Sequence, residues 1–347
     1  MNPQKVFLFL LTLLCFADNS IPRQLRESRF ITINGIEQWI TIHGNSEKPV
    51  LLLVHGGPGS VMSPFSRNMY QTWESEFIIV TWDQRGAGRT FGKVAPVELT
   101  PDYFNANPLT VDQIVADGIA ITEYLTKHLS KQKVIVFGTS WGSIVAGKMA
   151  AQRGELYHAY IGHSQVVKGN DLFGGYNRVM DLAKAANDTE SIAKLTTLGA
   201  PPYASARDFG GFLRVLKKYE RAAETPAPNS FFQMDPEYAN SKDDLDRENG
   251  DDYSFANFAG DQKLGLTSMA STVDFKRDHL WFSTPVYLMQ GKHDLLTPEI
   301  ATREYFAALT APTKEYYLMT SAAHGFNEEV IATQLAICRK VADTIKE

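Results

Sequence analysis

Three short apolar runs, each followed directly by a glycine-rich loop, restrict the fold of this chain more than any other feature. Val50–Val54 precedes HGGPG, Phe77–Trp82 precedes DQRGAG, and Val134–Phe137 precedes GTSWG. Short apolar runs bounded by turn residues are typical of strands buried on both faces. Helical patterns over 111–129 and 141–152 alternate with these runs. The alternation predicts an α/β fold, with a mostly parallel central sheet and helices on both of its faces.

Further strand patterns extend this sheet towards both ends of the chain. Phe30–Ile33 and Ile36–His43 flank Asn34-Gly35, a two-residue hairpin signal that predicts an antiparallel start. Near the other end, Val286–Met289 and Tyr316–Met319 are predicted strands. Helices are predicted over 299–309 and 327–345.

The buried-strand pattern is absent between about residues 165 and 283. Polar helical patterns, a proline-rich turn and the acidic run Asp243–Asp252 occur there instead. We predict a mainly helical cap over 166–283, inserted into an α/β core formed by 21–165 and 284–347. The acidic run resembles a calcium loop, but Gly250 lies one position late and Phe255 stands where the bidentate glutamate belongs. We therefore interpret the run as a solvated loop.

The first 20 residues have the composition of a secretory signal peptide. A basic start, MNPQK, precedes the apolar stretch Val6–Phe16, and Cys15 and Ala17 offer small residues for cleavage. The stretch is too short to span a bilayer, which takes roughly 20 residues. We expect a secreted or periplasmic protein without a stable membrane span in the mature chain. A cytoplasmic protein with an apolar N-terminal helix is the alternative.

Charge and cysteine content narrow the function further. A net charge of −5 argues against nucleic-acid binding, which usually requires a basic surplus. Cys15 and Cys338 are the two cysteines, so a cleaved chain keeps one thiol and has no intramolecular disulfide. A cysteine-based zinc site is excluded, and we expect neither a metal nor a cofactor.

The segment 138–142 is a G-x-S-x-G motif between a predicted buried strand and a predicted helix. A nucleophile at such a strand-to-helix turn is exposed at the helix N-terminus, where the helix dipole favours developing negative charge. Ser140 occupies the central position and is the candidate nucleophile. Thr139 and Ser143 are interpreted as hydroxyls that satisfy backbone donors at the helix start.

A serine nucleophile needs a histidine base and an acid that orients it. Asp294 follows the strand 286–289, and His324 follows the strand 316–319. The carboxyl ends of parallel strands meet at one edge of the sheet, so both residues are candidates. His293 is interpreted as a loop residue. The other histidines are assigned structural positions: His43, His55, His128, His158, His163 and His279.

Backbone N–H groups near Ser140 are candidates for an oxyanion hole. The residue after the nucleophile, Trp141, supplies one donor. The second is assigned to Gly57 in the HGGPG loop, with Gly56 as the alternative.

The motifs HGGPG, WDQRGAGRT and GTSWGS, followed by GKHD and AHG, together resemble the prolyl iminopeptidase branch of the α/β-hydrolase superfamily. The resemblance covers residues 30–165 and 285–345. It implies an α/β-hydrolase fold with Ser140 as nucleophile, Asp294 as acid and His324 as base. Asp83 and Arg85 are expected to form a charge pair that supports the site.

The cap of that family carries acidic residues that hold the substrate's α-amino group. Glu220, Glu224 and Glu237 are candidates for this role here, although each is more often a surface carboxylate. The resemblance implies an aminopeptidase that releases N-terminal proline from short peptides. A carboxylesterase or lactonase for small acyl substrates would use the same chemistry. A non-catalytic binding protein is disfavoured, since binding alone does not need every motif. The oligomeric state is not predicted.

Overall fold

One eight-stranded sheet forms the centre of the protein. The structure is a computed structural model that describes residues 23–169 and 173–345, so the predicted signal peptide lies outside the described residues. The strand order is β1-β2-β4-β3-β5-β6-β7-β8. The strands are β1 (Gln24–Ile33), β2 (Ile36–Asn45), β3 (Val50–Val54), β4 (Ile78–Trp82), β5 (Val134–Thr139), β6 (Tyr157–His163), β7 (Val286–Gly291) and β8 (Lys314–Met319).

The sheet is parallel except at its beginning. β3 to β8 pair with one another in parallel, whereas β2 is antiparallel to both β1 and β4. The turn between β1 and β2 places Asn34 at φ 46° and Gly35 at φ 83°, as a two-residue hairpin with both central residues at positive φ requires. The predicted antiparallel start is confirmed.

Helices surround the sheet. The described residues hold twelve α-helices and five short 3-10 helices. The α-helices are α1 (Ser66–Tyr70), α2 (Gly88–Gly92), α3 (Pro101–Ala106), α4 (Val111–His128), α5 (Trp141–Gln152), α6 (Phe173–Ala185), α7 (Thr189–Leu198), α8 (Ala206–Ala223), α9 (Ser241–Ala259), α10 (Phe275–Asp278), α11 (Glu299–Ala308) and α12 (Glu328–Ala342). The 3-10 helices are Gln71–Ser75, Gly154–Leu156, Asn229–Phe232, Pro236–Tyr238 and Met269–Thr272.

Alternate side chains of each central strand enter different cores. Leu52 of β3 belongs to a core that includes Ile121 of α4. Its neighbour Leu51 belongs to a second core, which includes Val330 of α12. Because successive strand residues point to opposite faces, the two cores lie on opposite sides of the sheet. The prediction of helices on both faces is confirmed.

The segment 166–283 contributes α6 to α10, and none of its described residues belongs to a strand of the sheet.

The interpretation of Asp243–Asp252 as a solvated loop is wrong, because the run lies within α9. The side chain of Asn240 caps this helix by accepting from the N–H of Asp243, and acidic residues in a first turn stabilise the helix dipole. Lys242 also pairs with Asp246 one turn later.

One strand of the core was not predicted. β6 lies between β5 and β7, and its sequence, YHAYIGH, mixes polar, small and aromatic residues rather than forming a continuous aliphatic run. Within the described ranges, no helix is both long and apolar enough to cross a membrane.

Candidate active site

Ser140 stands at a tight turn between β5 and α5. Its backbone lies at φ 53° and ψ −120°, a conformation that costs a non-glycine residue free energy and is typical of functional sites. The flanking glycines permit the turn. A Cβ on Gly138 would lie 2.2 Å from the carbonyl oxygen of Gly142, and one on Gly142 would lie 2.0 Å from that of Val54. Only glycine fits at either position without backbone movement.

The three neighbouring hydroxyl groups have different environments. Ser143 Oγ donates to the carbonyl of Ser140 at 2.6 Å and accepts from the N–H of Val166 at 3.0 Å, so it fixes the turn. Thr139 Oγ1 is buried and has no partner among the described residues, so the interpretation that this hydroxyl satisfies a backbone donor is wrong. Among the three, the hydroxyl of Ser140 is the one that lies within hydrogen-bonding distance of a histidine, His324.

Hydrogen bonds link Ser140, His324 and Asp294. His324 Nε2 lies 2.8 Å from Ser140 Oγ, and His324 Nδ1 lies 2.9 Å from Asp294 Oδ2. Asp294 is on the loop after β7 and His324 on the loop after β8, so parallel pairing of these strands brings the two loops to one edge. The structure therefore joins the three predicted residues in one relay.

The Asp294 carboxylate is buried and accepts several hydrogen bonds besides that of His324. Oδ1 accepts from the backbone N–H groups of Leu296 at 3.0 Å and Thr297 at 2.7 Å. Oδ2 accepts from Gln290 Nε2 at 2.9 Å and Thr297 Oγ1 at 2.6 Å. Sequence reasoning missed Gln290 and Thr297, although an aspartate side chain in a turn commonly accepts from the backbone N–H two residues later, as Asp294 does from Leu296.

For both Asp294 and His324, nearby charge and hydrogen bonds shift the pKa in the opposite direction to burial. Burial alone would raise the pKa of Asp294, but the His324 charge and the hydrogen bonds from His324 and Thr297 hold it below its usual value. Burial alone would lower the pKa of His324, but the charge of Asp294 and its hydrogen bond raise it above 6.5. The pair is arranged to stabilise an imidazolium beside a carboxylate.

Ser140, Gly57 and Trp141 line one pocket of about 660 Å³, a volume that includes its opening to solvent. Trp141 is the first residue of α5, so its N–H has no acceptor within the helix. Gly57 is at φ 108°, whereas Gly56 is outside the lining. The other lining residues are mostly apolar: Gln165, Val166, Val167, Lys168, Gly169, Phe209, Leu213, Phe255, Phe258, Leu296, Thr297, Pro298 and Ala301.

His55 has the structural role predicted for it. Its Nε2 accepts from the N–H of Gln84 at 3.2 Å, so Nδ1 carries the proton and donates to the carbonyl of Gly56 at 2.8 Å. Burial lowers the pKa of His55 to about 4, which keeps the ring neutral. His55 therefore fixes the glycine loop.

The expected charge pair between Asp83 and Arg85 is wrong. Arg85 Nε instead lies 2.8 Å from Oδ2 of Asp117 on α4. Asp83 accepts from Ser63 Oγ at 2.6 Å and from the N–H of Arg89 at 3.0 Å. Burial raises the pKa of Asp83 to about 7 despite these two hydrogen bonds.

The three candidate acids of the cap have separate partners. Glu237 forms an ion pair with Arg89 at 2.6 Å. Glu220 accepts from the N–H of Leu295 at 2.8 Å, and Glu224 accepts from the N–H of Ala323 at 3.2 Å. None of the three lines the pocket of Ser140.

His163 supports the turn through its backbone. Its carbonyl accepts from the N–H of Ser140 at 2.9 Å, while its imidazole is fully buried with both nitrogens unpartnered among the described residues. Burial lowers the pKa of His163 to about 3, so the ring is neutral.

Comparison with known proteins agrees with this architecture. A family model described as "alpha/beta hydrolase fold" matches residues 49–329. The chain is 27% identical over 317 residues to "Probable aminopeptidase YbaC" of Bacillus subtilis (strain 168), covering 85% of this chain and 89% of that protein. It is 35% identical over 133 residues to a proline iminopeptidase of Xanthomonas citri, covering 38% and 34%. A crystal structure of proline iminopeptidase from Mycobacterium smegmatis superposes with a TM-score of 0.62 at 14% identity, covering 91% and 99%.

Proposed function

The chain belongs to the α/β-hydrolase family, and from this premise we propose that it is a serine hydrolase that acts through an acyl-enzyme on Ser140. The observation that carries the proposal is the unbroken relay of Ser140, His324 and Asp294, with contacts of 2.8 and 2.9 Å. This is the arrangement that a hydroxyl requires in order to become a nucleophile at neutral pH.

The geometry supports a two-step reaction. Ser140 Oγ attacks the substrate's carbonyl carbon while its proton passes to His324 Nε2. The N–H groups of Gly57 and Trp141 donate to the oxyanion, and His324 then returns the proton to the leaving amine or alcohol. Water attacks the acyl-enzyme with His324 as base, which releases the acid and restores the hydroxyl of Ser140. Asp294 holds the imidazole in its working tautomer throughout.

For the substrate, we propose an aminopeptidase activity that releases N-terminal residues, proline in particular. The likeness to a named aminopeptidase over 85% of this chain supports this choice, as do the proline iminopeptidases that match at higher identity over shorter segments. The attack of Ser140 on the substrate's carbonyl carbon is the same whether the leaving group is an amine or an alcohol.

A carboxylesterase or lactonase is the second candidate, and the composition of the pocket favours it. Lys168 is the only charged residue that lines the pocket of Ser140 among the described residues. A substrate with a charged α-amino group is best held by a carboxylate, whereas a small apolar acyl group needs none.

Turnover of matched substrates separates the two candidates. We expect hydrolysis of proline 4-nitroanilide, and at least about a hundredfold loss when its amine is acetylated, because acetylation removes the charge and the N–H donors by which an aminopeptidase recognises an N-terminal residue. The control is 4-nitrophenyl acetate, which carries no amine. Equal rates for free and acetylated anilides would exclude the aminopeptidase, and rapid turnover of the ester alone would establish the esterase.

The pH profile should follow the ionisation of His324. His324 acts as a base only when its imidazole is neutral. Because its pKa is raised from 6.5, kcat/KM should already begin to fall at a pH above 6.5 and should continue to fall as the pH is lowered further. Asp294 stays ionised throughout this range because its pKa is lowered. Initial rates with 4-nitrophenyl acetate measure the profile. A rate that stays constant down to about pH 5 would contradict the assignment of His324 as base.

A further inference from the structure

The C-terminal end of the cap helix α8 contacts both loops that carry the relay. Oε1 of Glu220 accepts from the N–H of Leu295, the residue directly after Asp294, at 2.8 Å. Oε2 of Glu224, four residues later, accepts from the N–H of Ala323, the residue directly before His324, at 3.2 Å. One helix end therefore holds the loop of the acid and the loop of the base.

Two carboxylates are unfavourable at this place unless they have specific partners. The C-terminal end of a helix carries partial negative charge, which repels carboxylates. Glu220 is also only 4% exposed, and a buried carboxylate loses its hydration. Backbone N–H groups of the two loops replace that hydration, so these contacts explain why acids are accommodated here.

Further hydrogen bonds attach the same helix end to the loop after β8. The N–H of Thr225 donates to the carbonyl of Ser321 at 2.8 Å. The side chain of Asn327 donates to the carbonyls of Thr225 at 3.1 Å and Ser321 at 3.0 Å. The attachment of α8 to the base loop therefore does not depend on Glu224 alone.

The other part of α8 forms a wall of the pocket. Phe209 and Leu213 lie in the first two turns of α8 and line the pocket into which Ser140 opens. A single helix thus contacts both the space for substrate and the loops of the acid and base.

We propose that Glu220 and Glu224 are positioning residues that hold Asp294 and His324 in register with Ser140, and that the charge of Glu220 also stabilises the imidazolium of His324. The proposal rests on the serine hydrolase function proposed above. It assigns these two carboxylates to the relay loops rather than to the substrate.

The charges around His324 support the second part of this proposal. Asp294 and Glu220 raise the pKa of His324, whereas Lys217 on α8 lowers it; His163 faces it from β6 as a neutral ring. Burial and the charge of Asp294 raise the pKa of Glu220 to about 7, while His324 lowers it and Glu224 raises it. Glu220 and His324 therefore each favour the charged form of the other.

Substitutions at Glu220 test the proposal with 4-nitrophenyl acetate, a substrate without an amine. Glu220→Gln keeps an oxygen for the N–H of Leu295 but removes the charge. We expect kcat at pH 8 to fall about tenfold with KM within about twofold, because an imidazolium present only in the transition state loses stabilisation. The ratio of kcat/KM at pH 6 to that at pH 8 should rise about threefold, because His324 then loses its proton more readily.

Companion variants separate positioning from charge. Glu220→Ala also removes the acceptor and should lose about a further tenfold in kcat. Glu224→Gln should lower kcat by about threefold or less, since Asn327 still holds the loop, and should change the pH ratio less than Glu220→Gln does. Glu237→Gln is the matched control, because Glu237 pairs with Arg89 and contacts neither loop; its rates and pH ratio should equal those of the unmodified protein.

An unchanged kcat and an unchanged pH ratio in Glu220→Gln would overturn the proposal, whatever happens to thermal stability. Labelling of the unmodified protein by a fluorophosphonate distinguishes this result from failure of the proposed function. If the unmodified protein is not labelled, the serine hydrolase and the inference that rests on it both fail. If it is labelled and Glu220→Gln behaves like Glu237→Gln, only the inference fails.

Discussion

Replacement of Ser140 by alanine should abolish covalent labelling by a fluorophosphonate and lower kcat/KM by about 10⁴-fold or more. The hydroxyl of Ser140 is the group that meets His324, at 2.8 Å, and alanine leaves the imidazole nothing to deprotonate. Binding of substrate should change little, because the pocket walls and the N–H groups of Gly57 and Trp141 remain. Labelling followed by mass spectrometry, together with steady-state rates, measures both effects.

Ser143→Ala is the matched control for this variant. Ser143 lies one helical turn away and donates to the carbonyl of Ser140 at 2.6 Å, so its loss weakens the turn without removing the proposed nucleophile. In the Ser143→Ala variant, we expect Ser140 still to be labelled by the fluorophosphonate, but at a reduced rate. Labelling of Ser140→Ala at Ser143, or activity of Ser140→Ala within tenfold of the unmodified protein, would contradict the assignment.

The position of Ser140 could be predicted because local sequence determines it. Residues 138 and 142 must be glycine because a Cβ at either position would clash with nearby backbone. The backbone is this close because the strand turns directly into the helix. Asp294 and His324 could be predicted for a related reason. Each follows a short apolar run, and parallel strands bring their carboxyl ends to the same edge.

Contacts between long side chains and distant elements could not be predicted. Arg85 has Asp83 two residues away in sequence, yet it binds Asp117 on α4 because Asp83 points towards Ser63 and Arg89 instead. The acids of the cap show the same limit. Glu220 has the sequence context of an exposed helical glutamate, and its burial against Leu295 depends on how α8 docks on the core.

The helix over Ser241–Ala259 shows how local signals can compete. Its many aspartates and internal Gly250 are typical of a loop, since both residue types have low helix propensity. Tertiary contacts reverse this preference. Gly250 lies against the backbone of Gly86 and Gly88, where a larger residue would not fit easily, and Asp243 pairs with Arg89 at 2.6 Å.

Replacement of Asp294 by asparagine should lower kcat/KM by about 10³- to 10⁴-fold with the fold intact. Oδ2 of Asp294 accepts hydrogen bonds from His324, Thr297 and Gln290. An asparagine side chain has one oxygen and one NH₂ group, and the NH₂ group cannot accept a hydrogen bond. If the NH₂ group takes the place of Oδ2, it faces three donors. If it takes the place of Oδ1, it faces the backbone N–H groups of Leu296 and Thr297. His324 then loses both the partner that fixes its tautomer and the charge that raises its pKa.

Asp117→Asn provides the comparison for a buried aspartate outside the relay. Asp117 is 1% exposed and binds Arg85 at 2.8 Å, so its replacement leaves a partly buried guanidinium without its counter-charge and should lower the free energy of unfolding by about 3 kcal/mol. The fluorophosphonate labelling rate per folded molecule should stay within about twofold, because Asp117 has no hydrogen bond to the relay. Denaturant titration and labelling rates separate the two effects. Equal labelling rates for Asp294→Asn and Asp117→Asn would mean that the carboxylate of Asp294 contributes stability rather than orientation and charge to His324.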